Sequence, residues 1–573
     1  MSRLVKIIDF PSVLLSSFLS DNNNNNNNND APLGSFFISL DRGFGLVSRW
    51  FWKIGFGMRM ATTTEQPLSK KAGLLVTVSE RTPLLRGDSA ASSTYGSNEN
   101  EYKYVVDFEG PDDTENPIYW PKAYKWTAVF LLALFSSTVA FTGVSLVPVA
   151  NTIIQELGGS AASSASSTVL LVTIWELGEA IGPLFLAPLS EMYGRYRVVN
   201  TANIMFTAST ILASFAPSIP TLIGARFLSG LSNSASVLNP AIVGDMFPPE
   251  ERGAAMSILI FAPMCGGAVG PAVAGIIAEN LGWRSVLWIA ASMAGLCEVF
   301  FLIFFKETFA VTILARRAER LRKDTQISAF KSIHEVQGTE LEKKPTIMGT
   351  LLRPVVVLSK SGVLQVLSLF GALSFAYWYV VATTLPEILS DIYGLSPSTV
   401  GASFLSFSAG CIMMIILCNR TLDRIYTGLR DKNAGLGRPE FRLPLAILGG
   451  AFLPVVVFSY GWVPSARLPL PVCLLTVGAM GACTLLGCLP LTAYVVDAFG
   501  LYSASAMTAV VVMRCLMSTI LPLVTGDLIS RMGYRNAFGV LALVTACIVP
   551  LPVLVWRYGP VWRQRSMYTR QQL

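Results

Sequence analysis

The sequence predicts an all-α membrane protein with twelve transmembrane helices in two six-helix bundles, on three observations. Asp, Glu, Lys and Arg make up only 14% of the 573 residues, where an ordinary soluble domain carries about 25%. Mean hydropathy is +0.53. Twelve apolar segments follow residue 121, and the longest polar interval between them, 306–361, divides them six and six. Each span takes about 20 apolar residues, so twelve need roughly 240. A soluble multidomain enzyme, a nucleic-acid binder and a disordered scaffold would all need charged surface that this composition does not supply.

Residues 1–121 read as a disordered cytosolic tail. Residues 22–29 are eight consecutive asparagines with no apolar face to bury. Asp9 and Pro11 interrupt the weakly apolar opening, which makes a poor signal peptide. Residues 1–59 read as an extension, with the start at Met1 or near Met60. Glu80, Leu84 and Leu85 fit an acidic dileucine address for the vacuole.

The apolar segments are 126–149, 167–189, 198–217, 221–244, 255–278, 285–305, 362–386, 400–418, 443–462, 469–494, 503–524 and 537–556. The expected organisation is a first bundle over 122–305, a cytosolic loop over 306–361, a second bundle over 362–556 and a tail over 557–573. Two equal halves suggest repeats arranged around a pathway at the membrane midplane. Loops and C-terminal tail on one side carry 24 Lys and Arg, against four (Arg284, Arg467, Arg531 and Arg535) on the other. That bias places both termini in the cytosol. The sequon at Asn419 then faces the cytosol and stays unused.

The nine cysteines lie within or at the ends of apolar segments, with no CxxC, so neither a disulfide scaffold nor a metal site is expected. The only histidine, His334, is in a polar stretch. No acid–Cys–His cluster points to an enzyme.

Ionisable groups inside spans are costly and therefore mark function. Glu176 and Glu179 share one face of the second span, roughly 14 and 18 Å from its outer end. Two carboxylates so close should not both ionise easily, which suits one of them to carrying a proton. Arg226 in the fourth span keeps its charge, and could tune a carboxylate, bind an anion or snorkel to the interface. Glu298, within snorkelling reach of the cytosolic end, and Arg514 in the eleventh span are further buried charges. Trp175, Tyr377, Trp378 and Tyr379 fall mid-span, where aromatics can line an apolar cavity or pack between helices. Gly178/Gly182 and Gly266/Gly270 have GxxxG spacing, which favours close helix contact.

Several stretches together resemble the major facilitator superfamily, and more narrowly its fungal twelve-span drug:proton antiporter (DHA1-like) branch. Residues 187–197, with Glu191, Gly194, Arg195 and Arg197, are similar to the family's GxLaDrxGrk loop motif; Glu191 replaces the usual Asp and Ala187 the first Gly. Asp423 and Arg424 look like a degenerate copy after span eight. Residues 226–230 resemble the span-four motif, and Gly266, Gly270, Pro271 and Gly275 the span-five antiporter motif. Residues 106–117, 244–253 (with Asp245 and Arg252), 307–309 and 439–444 resemble the fungal branch specifically.

The resemblance implies the major facilitator fold and proton-driven export of small amphipathic or cationic organic molecules, such as drugs, toxins or secondary metabolites. It implies no cofactor and no nucleic-acid partner, with the driving force a proton gradient. A monomer in the plasma membrane is expected, with the vacuolar membrane second. Uptake of a nutrient or polyamine by symport or uniport is the competing transport reading, and a non-transporting membrane sensor the third. Glu176, Glu179, Arg226, Glu298 and Arg514 are expected at the coupling site or cavity. Glu191, Gly194, Arg195, Arg197, Asp245, Arg252, Asp423 and Arg424 are expected at a cytosolic gate.

Overall fold

The computed structural model describes residues 105–110, 113–158, 165–233, 235–248, 251–336, 347–433 and 436–569. The expectations for residues 1–104, including the dileucine pattern and the alternative start, lie outside the described residues. The first half consists of α1 (Lys122–Val144), α2 (Ala150–Gly158), α3 (Ala165–Tyr193), α4 (Arg195–Ser214), α5 (Ile219–Leu231), α6 (Ala235–Met246), α7 (Arg252–Leu281) and α8 (Trp283–Phe304). Two linking helices follow, α9 (Ala310–Thr325) and α10 (Ile347–Lys360). The second half consists of α11 (Gly362–Glu387), α12 (Pro397–Lys432), α13 (Pro444–Ser465), α14 (Leu470–Phe499), α15 (Ser503–Ile548) and α16 (Pro550–Arg565).

Nine of the helices among the described residues are long and apolar enough to cross a membrane. Three physical causes separate nine from the twelve expected spans. The third span, α4, is diluted by Asn200, Asn203, Thr201, Thr207 and Thr210. The fourth is broken into α5 and α6. The last two run together in α15, where Gly533 at φ 76° turns the chain without ending the hydrogen-bonded run.

Three other boundaries differ from expectation. Residues 105–110 and 113–121, read as disordered tail, take defined positions instead: β1 (Val105–Val106) pairs in parallel with β2 (Lys331–Ser332). Val106 joins Leu314 and Ala318 in a small core with Phe108, Leu321, Phe330 and Ile333. The loop 306–361 holds α9 and α10, and the tail expected from 557 begins inside α16. In addition, α12 carries the Asn419 sequon within a continuous helix.

Within the halves, α1 packs on α7, α3 on α5, α11 on α15 and α12 on α14. Glycines permit the close approaches: a Cβ on Gly178 would meet the Phe227 carbonyl, and one on Gly230 the Trp175 carbonyl. Between the halves, α3 packs on α15 and α7 on α12. The second span of each half thus meets the fifth of the other, as two related repeats require.

Apolar burial is divided by depth. At the end opposite the described termini, here called distal, one core joins both halves, running from Val144–Ile154, Leu171 and Leu222 to Tyr377–Leu389, Val400 and Leu541. At the proximal end the halves bury separate cores. One is centred on Phe135, Phe206 and Phe301, the other on Phe370, Tyr494 and Val510. The molecule is sealed between its halves distally and divided proximally.

Candidate functional site

Midway along α3, Glu176 and Glu179 both face the second half, because three residues separate them on a helix. Glu176 is 3% and Glu179 8% exposed. Tyr379 of α11 donates a 2.6 Å hydrogen bond to Glu176 Oε1. Arg514 of α15 reaches Glu179 Oε1 at 3.4 Å through Nη2, and its guanidinium lies 4.3 Å from the centre of the Phe375 ring. Both carboxylates therefore hold partners across the interface between the halves. Thr519 adds a 3.4 Å hydrogen bond to the Thr173 carbonyl one turn further toward the distal end.

The other expected members of the site go elsewhere. Arg226 is 1% exposed and does not snorkel. Its guanidinium donates to the carbonyls of Thr142 and Gly143 at 2.7 and 2.5 Å. Those carbonyls belong to the last turn of α1, where helix ends leave acceptors without intrahelical partners. Trp175 lies under the Arg226 guanidinium at 5.1 Å and edge-on to Phe206, so it belongs to the interior of the first half. Glu298 is buried inside the same half near Asn203, both its carboxylate oxygens without a hydrogen-bond partner among the described residues, rather than extended to the interface.

The three consecutive aromatics on α11 point about 100° apart, as a helix dictates. Tyr377 turns to α15, bonding Thr545 Oγ1 at 2.5 Å. Trp378 packs on Phe407 of α12 at 4.5 Å. Only Tyr379 reaches the carboxylates. Tyr377 and Trp175 are thus packing residues and not cavity aromatics.

At the proximal end, Gly194 at φ 92° starts α4, and the Glu307 carboxylate fills the space where a Cβ would stand. Glu307 Oε1 accepts from the Arg195 N–H at 2.8 Å, capping that helix. The Arg195 side chain reaches Asp245 at 3.3 Å and Ser190, and its guanidinium lies 4.6 Å from the Phe309 ring. Thr308 donates to the same Asp245. Glu191 and Arg197 are exposed, with no ion pair among the described residues. Glu307, rather than Glu191, is thus the carboxylate at this turn, and its signal was the Glu307-Thr-Phe stretch. Arg252 caps α6 by donating to the carbonyls of Phe247 and Gly244, both at 2.8 Å.

In the second half Asp423 pairs with Arg442 at 2.6 Å, and Arg442 also reaches Asp497 at 3.0 Å. Arg424, expected to act beside Asp423, instead lines an open groove of about 390 Å³ with Trp556. Arg442 lies in the quoted stretch 439–444, as does Glu440, which is 1% exposed and pairs with Arg563 of α16 at 2.8 Å.

The antiporter-like glycines lie on contact faces. A Cβ on Gly266 would strike the Ser137 carbonyl, and one on Gly270 would come 3.2 Å from Val144. Toward the distal end a Cβ on Gly275 would lie 2.5 Å from the Pro397 carbonyl, and one on Gly401 of α12 would strike the carbonyl of Pro271. Close by, Glu279 accepts from the Ser398 N–H at 3.1 Å. These contacts close α7 against α12 at the distal end.

The chain is similar to three fungal transporters over most of its length. It is 31% identical to efflux pump radE of Floropilus chiversii over 468 residues, covering 81% of this chain and 86% of that protein. It is 30% identical to MFS-type transporter penM of Penicillium rubens over 498 residues, 84% and 97%. It is 32% identical to MFS-type transporter hepF of Aspergillus oryzae over 467 residues, 80% and 94%. Among solved structures, the xylose transporter XylE from E. coli in a partially occluded inward-open conformation aligns at TM-score 0.57 and 15% identity, covering 76% and 98%. The human organic anion transporter MFSD10 aligns at TM-score 0.53 and 18% identity, covering 76% and 100%. These two show the fold alone. Residues 129–522 match the profile of the Major Facilitator Superfamily. With the helical membrane fold, the two-fold exchange of spans and the similarity to fungal transporters, this chain belongs to the Major Facilitator Superfamily of transporters.

Proposed function

We propose that the chain is a proton-driven exporter that moves small amphipathic organic molecules from the cytosol by alternating access. The observation that carries this proposal is the pair of carboxylates on α3, each held by a residue of the opposite half. A proton arriving on such a carboxylate removes its charge and weakens its hold on the other half, so protonation and the rocking of the halves become one equilibrium. Glu176 is the better proton carrier. Glu179 has the Arg514 cation to balance its charge, whereas Glu176 has only a neutral hydroxyl.

With the termini in the cytosol, as the Lys and Arg distribution favours, the distal seal faces outward and the present arrangement is the one that loads from inside. In the opposite arrangement Glu176 takes a proton from the exterior as substrate leaves, then delivers it to the cytosol on return. One charge crossing 100 mV contributes about 2.3 kcal/mol, roughly fifty-fold accumulation. The relatives described as efflux pumps support the outward direction. The plasma membrane is the proposed location, the protein acts as a monomer, and no cofactor takes part.

Untargeted metabolite profiling of medium and cells, with and without the transporter, names the exported compound. Its export from vesicles under an imposed pH gradient is then compared with that by Glu176→Gln. Full proton-dependent export by that variant would overturn the coupling role.

A further inference from the structure

We infer that Arg514 is the group that receives the transported molecule, and that it selects an acceptor oxygen (a carbonyl or carboxylate) on an apolar body and rejects organic cations. This rests on the export site proposed above and names its substrate chemistry. Two carboxylates in one span would by charge alone suit a cationic substrate, but their accessibility argues otherwise. Glu176 is 3% exposed; its Oε1 takes the Tyr379 hydrogen bond and its Oε2 is buried, without a partner among the described residues. The Glu179 side chain is 11% exposed, while that of Arg514 is 29% exposed. A molecule entering between the halves at this depth meets the guanidinium before either carboxylate.

The guanidinium also has donor capacity left over. Its one bond to Glu179 uses Nη2 at 3.4 Å, a long contact for a charged pair. Its Nε is buried with no partner among the described residues. A buried donor without an acceptor is unfavourable, and an acceptor oxygen that reaches it as the site rearranges around a ligand relieves that cost. Phe375 supplies an apolar face beside the same guanidinium, so the two together match a flat apolar body carrying an acceptor at its edge. An organic cation placed here would face Arg514 at close range, with the balancing carboxylate already engaged. Cys488 and Cys515 also lie near the guanidinium.

The test uses the full chain purified into nanodiscs and three probes with one naphthalene body: 2-naphthoate, 2-acetonaphthone and a 2-naphthyl trimethylammonium salt. Binding is read by naphthalene fluorescence. Both acceptor probes are expected to bind at least about tenfold more tightly than the ammonium probe, the least that one charge-assisted hydrogen bond supplies. Arg514→Gln is expected to erase that preference. Arg514→Lys keeps the charge but loses the Nε donor, so it should retain the carboxylate better than the ketone. Binding of naphthoate alone assigns an anionic substrate; binding of both acceptors assigns a neutral oxygen acceptor as sufficient.

The order of the three probes on the unmodified protein decides the matter even if a variant fails to fold. Preference for the ammonium probe, equal binding of all three, or no binding overturns the inference. Proton-driven export is measured separately in vesicles. Its persistence with a cationic substrate would overturn this inference and leave the exporter intact, while its absence with acceptor binding preserved would do the reverse.

Discussion

Tyr379 and Glu176 stand on different halves of the molecule, 6% and 3% exposed, joined by a 2.6 Å hydrogen bond. Tyr379→Phe removes the donor and leaves a buried carboxylate oxygen unpaired, at a cost of about 1–3 kcal/mol to this arrangement. Proton-driven export is expected to fall roughly tenfold. Glu176→Gln combined with Tyr379→Phe should be no worse than Glu176→Gln alone, because the two residues act through one bond. Independent, additive losses in vesicle flux would show that they act apart.

Glu179 and Arg514 form the second tie between halves. Glu179→Gln leaves a cation without its counter-charge, so the melting temperature should drop by the equivalent of about 1–3 kcal/mol, less than for a fully buried pair. Adding Arg514→Gln should recover a large part of that loss. A double variant less stable than either single one would mean that the pair is not the relevant contact.

Gly401 and Gly275 let α12 and α7 touch through backbone. Gly401→Val cannot be accommodated without separating the helices, since the obstacle is the Pro271 carbonyl rather than a flexible side chain. The variant should populate the distally open arrangement. A cysteine introduced at Ser398 should then react with a membrane-impermeant maleimide several-fold faster than in the unmodified background. Unchanged labelling would indicate that the helices part at this point in both variants.

Arg563 and Glu440 are 8% and 1% exposed and pair at 2.8 Å. Truncation at residue 556, harmless if 557–573 were a free tail, removes one partner of a buried pair. A loss of about 3–5 kcal/mol is expected. Arg563→Ala should reproduce most of it in a thermal melt, and an unaltered melt would argue against the pair.

Asp113 anchors the segment before α1 to α9 through Arg317 at 2.7 Å. Burial pushes its carboxyl up, but the N–H groups of Glu115 and Glu109 and the Arg317 guanidinium outweigh that and hold it below its ordinary value. A carboxylate depressed in the folded state stabilises docking above its unfolded value near about 4, and that stabilisation is lost as pH falls through the folded value. Amide exchange at residues 105–106 and 331–332, corrected for intrinsic rate, should therefore rise below about pH 4. In Arg317→Ala exchange should be faster at neutral pH and depend less on acid.

Much of the fold is written in local pattern. Twelve apolar stretches of membrane length and a central polar interval specify spans and halves, because the bilayer requires every spanning backbone to satisfy itself. The same logic picked out Glu176 and Glu179, since an unforced charge in a span is rare. It did not distinguish Glu191 from Glu307, or Arg424 from Arg442. In each case the basic or acidic residue that forms the contact is distant in sequence, and only the meeting of loop ends selects it.

The sequence by itself determined the membrane class, the two repeats and the short set of intramembrane charges. Tertiary structure alone decided which of those charges face one another. Arg226, Glu298 and Arg514 look alike as ionisable residues in apolar runs, yet Arg226 caps α1, Glu298 lies within one half and Arg514 meets Glu179 across both. Likewise Tyr377, Trp378 and Tyr379 are neighbours in the chain but face three different helices. Helical rotation turns adjacent residues to different faces, and the packing of the halves determines which face meets the opposite carboxylate.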